Sequence, residues 1–185
     1  MNQELKDITY AYSSSTPSVK DRIAKFREYL DYFERHYDNV QKAWALITEK
    51  CDGKSFRFIY DDFVWHTINA SIKMHDESKL SEHEFTQYRN YFFPAKNEMK
   101  DKKRFDPAWE HHWKNNNHHW ECWTKYGQGD MYVDIYVVEM VCDWVAMGFE
   151  FGGTAKEYYE KNKDRIKIPD WAEKLIYQIF DCIYP

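Results

Sequence analysis

RIAKFREYLDYFERHYDNVQKAWALI, residues 22–47, places apolar side chains at Ile23, Phe26, Leu30, Phe33, Tyr37, Val40, Trp44 and Ile47. The steps between them alternate between three and four, which keeps all eight on one face of a helix with about 3.6 residues per turn. The pattern predicts a long helix with that stripe against a core. His36, three after Phe33 and four before Val40, falls on the flank of the stripe. The helix is therefore expected to carry an imidazole to the edge of the core.

Outward from this helix, the same logic covers most of the chain. CDGKS at 51–55 breaks the pattern. A second helix is expected from YDDF, with Asp61 or Asp62 as its cap, running on through MHDESK at 74–79. Ser81 and Glu84 have the spacing of a capping box ahead of a short aromatic helix that ends by Pro94. AKNEMKDKKR at 95–104 reads as a solvated loop, and Asp106-Pro107 as an N-cap with proline at the first helical position. That helix carries AWEHHW and is interrupted by three asparagines before HHWECW. After a glycine turn at YGQGD, residues 131–147 read as a buried helix holding Glu139 and Asp143, closed by Gly152-Gly153. Thr154 and Glu157 cap a further helix, and PDWAEKLIYQIF supplies the last. Nothing alternates with the period of a strand. The expected fold is all-α: a flexible polar arm over 1–16 and a single helical domain over 17–185.

Composition narrows the function classes. A chain of 185 residues with 19% aromatics can fill one sizeable core. The net charge of −5 argues against an extended nucleic-acid surface, which needs clustered Lys and Arg. It leaves room for a small phosphorylated ligand, because a bound cation supplies positive charge locally. Cys51, Cys122, Cys142 and Cys182 include no CxxC pair and suit reduced thiols. The N-terminus lacks an apolar h-region, and no apolar run approaches the roughly 20 residues that cross a bilayer. The expectation is a cytoplasmic protein that does not enter a membrane.

Eight histidines occur, four of them within HHWKNNNHH at 111–119, and another stands beside an aspartate as His75-Asp76. Imidazole with carboxylate, without usable thiolates, suits a divalent transition metal such as Mn, Zn, Fe, Co or Ni. His66 and His75, nine apart, face opposite ways on one helix at about 100° per residue, so His66 is set aside as a packed or capped residue. Lys79 projects from nearly the same side as Asp76 on that helix. His36 can reach the same point from the preceding helix. Asp143 sits in EMVCDWVAM among residues that favour burial, where a carboxylate needs a cation or a charged partner.

A histidine on one helix, a His-Asp doublet on the next and an aspartate on a later one resemble the H…HD…D motif of the HD-domain metal-dependent phosphohydrolases, here His36, His75-Asp76 and Asp143. HDESK also resembles the HD-x-G-K form of the HD-GYP phosphodiesterases, with Ser78 in place of glycine. No GYP segment is present, and the HH pair follows the preceding histidine too closely for that branch. A closer resemblance is to a family of uncharacterised bacterial and phage-encoded proteins sharing HDxSK, AWxHH, NxHHWxxW and EMxxDW segments, over roughly residues 20 to 150.

The HD resemblance implies an HD-like helical bundle and one or two metal ions. His36, His75, Asp76 and Asp143 would hold the first. His112 and His118 are the first choices for a second, with His111 and His119 behind them and Asp76 as bridge. The implied activity is hydrolysis of a nucleotide or related small phosphate ester by metal-activated water. Asp76, Lys79 and Glu139 would carry catalytic roles: bridging, phosphate stabilisation, and outer hydrogen bonding or proton transfer. Trp113, Trp120 and Trp123 are expected chiefly in the core, with a base-stacking wall as the other option. A di-iron oxygenase on the same fold and a non-catalytic helical binding module are the alternatives.

Overall fold

Helix α1 forms where the periodicity places it, over Val19–Lys50. The computed structural model describes residues 16–124 and 133–185, so the arm expected over 1–16 and the glycine turn at 126–130 fall almost wholly outside the described residues. The elements that follow are α2 (Arg57–Tyr60), α3 (Asp62–Lys73), a 3₁₀ turn (Glu77–Leu80), α4 (Phe85–Phe92), α5 (Lys102–Asn115), α6 (Trp120–Trp123), α7 (Val133–Phe151), α8 (Ala155–Asn162) and α9 (Asp170–Ile183). Among the described residues there is no strand, and the all-α expectation holds. No described helix is long and apolar enough to cross a membrane.

The described residues divide into two compact units. The first comprises 16–33 and Lys79–His111. Its core is aromatic: the Tyr29 ring lies 5.4 Å from Phe85 and 5.8 Å from Phe93, and Tyr88 meets Phe105 edge-on at 5.2 Å. On this stretch of α1 Tyr29 is the buried side chain, with Phe26 and Phe33 half-buried beside it, while Ile23 and Leu30 are 45% and 43% exposed. Two overlapping stripes satisfy steps of three and four, and the rings of α4 and Phe93 select the one carrying Tyr29.

Three local expectations in this unit are corrected. Ser81 and Glu84 form no capping box. The Phe85 N–H donates to the Ser81 carbonyl at 2.9 Å, and the buried Glu84 carboxylate instead lies 2.6 Å from His111 Nδ1. Helix α5 starts at Lys102 rather than Pro107, because the Asp101 carboxylate accepts from Arg104 N–H at 3.3 Å. Asp106 is taken up by an ion pair with Lys102 at 2.5 Å. The lysine-rich stretch therefore contributes the first helical turn, and Pro107 sits inside the helix.

The second unit comprises Glu34–Ser78 and His112–Pro185, less its undescribed residues. Helix α7 is its axis. Ile135, Val137, Val138, Met140, Val141, Cys142, Val145 and Ala146 are buried around its whole circumference, as expected for a central helix. Helices α3, α6, α8 and α9 pack against it. Val40, Ala43, Trp44 and Ile47 of α1 join the same core, with Trp123. Asp61 caps α3, accepting from the N–H groups of Phe63 and Val64 at 3.1 and 3.2 Å. Gly152 and Gly153, both at φ +82°, stop α7, and the predicted Thr154–Glu157 capping box starts α8. Gly148 is dictated by space, since a Cβ there would lie 2.9 Å from the Gly153 carbonyl oxygen. The four cysteines are free thiols, with Cys51, Cys122 and Cys142 buried.

In the first unit Arg89 is buried with its guanidinium 4.6 Å from the Phe26 ring centroid and paired with both oxygens of Glu98. Burial would raise the Glu98 carboxyl, but Arg89 and the Ala95 N–H hold it below its ordinary 4.5. A carboxylate so lowered stabilises the fold above its unfolded value, and that contribution is lost as pH falls through the folded value. Glu98→Gln is expected to lower unfolding free energy by about 1–3 kcal/mol at neutral pH. In urea titrations the gap between wild type and variant should close on acidification below pH 4.5.

Candidate metal centre

MHDESK does not continue α3. The helix stops at Lys73, the Met74 and His75 N–H groups bond back to the Ser71 and Ile72 carbonyls at 3.0 and 3.3 Å, and Asp76 turns to φ +61°. Aspartate is among the few residues that tolerate this left-handed region. In a continuous helix, adjacent side chains diverge by about 100°. The break removes that divergence and brings His75 Nε2 to 3.7 Å from Asp76 Oδ2.

The two oxygens of Asp76, itself 1% exposed, face different partners. Oδ2 lies 3.4 Å from His36 Nε2, while Oδ1 lies 3.2 Å from His112 Nε2 and 3.5 Å from His118 Nε2. Asp143 Oδ1 lies 3.2 Å from His36 Nε2 and 3.8 Å from His75 Nε2. Two ligands about 2.1 Å from a tetrahedral cation stand about 3.4 Å apart, so these separations match co-ligands. Donor atoms within 4.8 Å of one another form three overlapping groups: His36, His75 and Asp76; Asp76, His112, His118 and His119; and His75, His118 and Asp143. These buried groups are near enough to hold a metal ion. His75 supplies an independent sign of fit. Its Nε2 is buried 3.7 and 3.8 Å from the Asp76 and Asp143 oxygens, beyond hydrogen-bond distance of either, a spacing that a cation between them would satisfy.

A second layer of bonds aims the imidazoles. Glu139 Oε1 lies 3.1 Å from His75 Nδ1 and 3.3 Å from His118 Nδ1. The Ser71 hydroxyl donates to Glu139 Oε2. Ser78 Oγ lies 3.2 Å from His112 Nδ1, and Asn116 Nδ2 donates to Ser78 Oγ at 2.7 Å. Such outer partners fix ring orientation and tautomer.

The electrostatics differ between the groups. Burial opposes charge on His75, but the Asp76 charge, with Asp143 and Glu139, outweighs it and raises the imidazole to about 10. His36 is also raised, by Asp143 and Asp76 against burial. His118 and His119 are lowered, first by burial and then by neighbouring imidazoles. Asp143 and Glu139 are held below the usual carboxylate range despite burial, Asp143 by His36 and His75, Glu139 by His118 and His75. The side around His36, His75 and Asp143 thus demands positive charge, while His118 and His119 offer neutral lone pairs.

Of the expected residues, His36, His75, Asp76, His112, His118 and Asp143 come together in the second unit. His119 joins them alongside His118. His111 belongs to the first unit, pairing with Glu84 and stacking on His83 at 4.7 Å. Lys79 also belongs to the first unit, its Nζ 5.6 Å from the Tyr88 ring centroid. His66 is exposed and edge-on to Trp65 at 5.0 Å. Ser71, Ser78 and Asn116 were missed by sequence reasoning. The signal for one of them was helical spacing, since Asn116 stands four after His112, whereas Ser71 meets Glu139, 68 residues along the chain, which no local spacing marks.

Because Asp76 faces two donor groups, Asp76→Asn, which keeps the left-handed backbone accessible, is expected to lower bound metal more than either His36→Ala or His112→Ala. Elemental analysis of the three purified variants beside wild type checks this ordering.

A family model matches residues 25–182, spanning every residue of the centre. No curated protein and no solved structure matched the sequence. The chain belongs to DUF5662, a family of unknown function.

Proposed function

We propose that the protein is a metal-dependent phosphohydrolase acting on a nucleotide or a related small phosphate ester. The observation that carries this reading is the buried Asp76 carboxylate, whose two oxygens are divided between two imidazole-bearing groups. His36, His75, Asp76 and Asp143 would hold one divalent transition metal, and Asp76, His112, His118 and His119 a second. A metal in such a site polarises a phosphoryl oxygen and makes bound water acidic near neutral pH. The order of His36, His75-Asp76 and Asp143 along the chain, resembling that of the HD phosphohydrolases, supports the same reading.

The chain's own residues take separate parts. Asp143, with 19% of its side chain accessible, is the more open of the two coordinating carboxylates and marks the side on which a phosphate ester would arrive. In a chain of net charge −5, attraction for that ester has to be local. Glu139 has one oxygen engaged by His75 and His118 and the other by Ser71, which assigns it to orientation rather than proton transfer.

One observation favours a second reading. A group with three imidazoles and one shared carboxylate also suits iron, as a di-iron oxygenase would require. A binding module without catalysis would leave the buried imidazoles and carboxylates as packing elements, at considerable desolvation cost.

Metal-free protein reloaded with Mn, Co, Zn or Fe, assayed for phosphate release from a nucleotide panel, separates these readings. The expected result is activity with at least one metal that falls more than about 100-fold in Asp143→Asn, beyond the loss typical of an outer hydrogen-bond partner. No release with any metal would overturn the hydrolase. A mixed-valence Mössbauer spectrum from iron-loaded protein would favour the oxygenase.

A further inference from the structure

Asp76 is not the only link between the donor groups. Oε1 of Glu139 lies 3.1 Å from Nδ1 of His75, in the group with His36, and 3.3 Å from Nδ1 of His118, in the group with His112 and His119, while the two rings also share the group with Asp143. An ionised carboxylate only accepts, so both bonds run from imidazole N–H to the same oxygen. With Nδ1–H so engaged, each ring turns its Nε2 to the centre, where a bound cation would take the place of a proton. The Ser71 hydroxyl donates to Oε2, the other oxygen, and so resists rotation of the carboxylate towards one histidine at the expense of the other. Glu139, His75 and His118 are all buried, which keeps water from substituting for either bond. With separate acceptors the two rings would be oriented independently. One shared oxygen makes their orientation a single variable.

We propose that Glu139 is a positioning residue that couples the two donor groups, so that they gain and lose affinity for a divalent transition metal together. This rests on the metal-centre reading and goes beyond it, because it assigns the coupling to a residue that touches no cation. Ser71 is part of the device through its grip on Oε2.

The test is titration of metal-free, full-length protein with Co²⁺, followed by visible absorption and by equilibrium dialysis. His36→Ala and His112→Ala serve as backgrounds, each removing an imidazole found in only one of the two outer groups and leaving the His75, His118 and Asp143 group in place. Glu139→Ala is expected to weaken Co²⁺ binding about 10–100-fold in both backgrounds. Glu139→Gln, which keeps an acceptor oxygen, should recover part of that loss in both, and Ser71→Ala should weaken both by a smaller factor. A loss confined to one background overturns the coupling, as does full affinity in Glu139→Ala. A glutamine variant no better than alanine overturns the positioning role. If circular dichroism shows Glu139→Ala unfolded, Glu139→Gln and Ser71→Ala decide the matter: a deficit in both backgrounds supports coupling, and a deficit in one or none overturns it. Wild-type protein that takes up no Co²⁺ overturns the metal centre itself, a separate result.

Discussion

The constraint on which the second unit depends is the burial of the Asp76 carboxylate among imidazoles with almost no access to water. A carboxylate taken out of water loses several kcal/mol of solvation and has to recover it from nearby positive charge or hydrogen bonds. Asp143 and Glu139 raise the same demand a few ångströms away. The answer is a set of imidazoles from α1, from the turn after α3, from the end of α5 and from the segment before α6, with α7 supplying both further carboxylates. Placing Glu139 and Asp143 four apart on the most buried helix holds both carboxylates on one rigid rod.

Much of this was legible in the chain. The steps of three and four in residues 22–47 locate α1 and put His36 at the core boundary, and Thr154 with Glu157 marks the start of α8. The gathering of the centre's residues was legible as well, because imidazoles and carboxylates recur in order along the chain, and the fold brings those of the second unit within 4.8 Å of one another in overlapping groups. Local breaks were less visible. Nothing in MHDESK forbids a helix, and Asp76 leaves it because tertiary partners on both of its oxygens outweigh helical continuity. Ser81 and Glu84 satisfy the spacing of a capping box, yet Glu84 has a stronger partner in His111 from a distant helix. Spacing rules count neighbours along the chain and cannot weigh a competitor 27 residues away.

The two histidine pairs show how secondary structure divides similar motifs. His111 and His112 lie on α5, where neighbours diverge by about 100°, and they pair with different residues in different units. His118 and His119 precede α6, and His119 has an extended backbone at φ −81° and ψ 125°. Outside the helix both rings reach the same donor group, at 4.4 Å from each other. A choice between members of each pair was the natural sequence expectation. The backbone makes it a real choice for one pair and none for the other.

The left-handed turn at residue 76 sets two independent requirements on a single side chain. The torsion alone would favour glycine, asparagine, aspartate or histidine. Facing two imidazole-bearing groups at once calls for two acceptor atoms diverging from one short side chain, which a carboxylate supplies. Only aspartate meets both demands, so the vocabulary of this position shrinks to one residue although neither requirement is strict by itself.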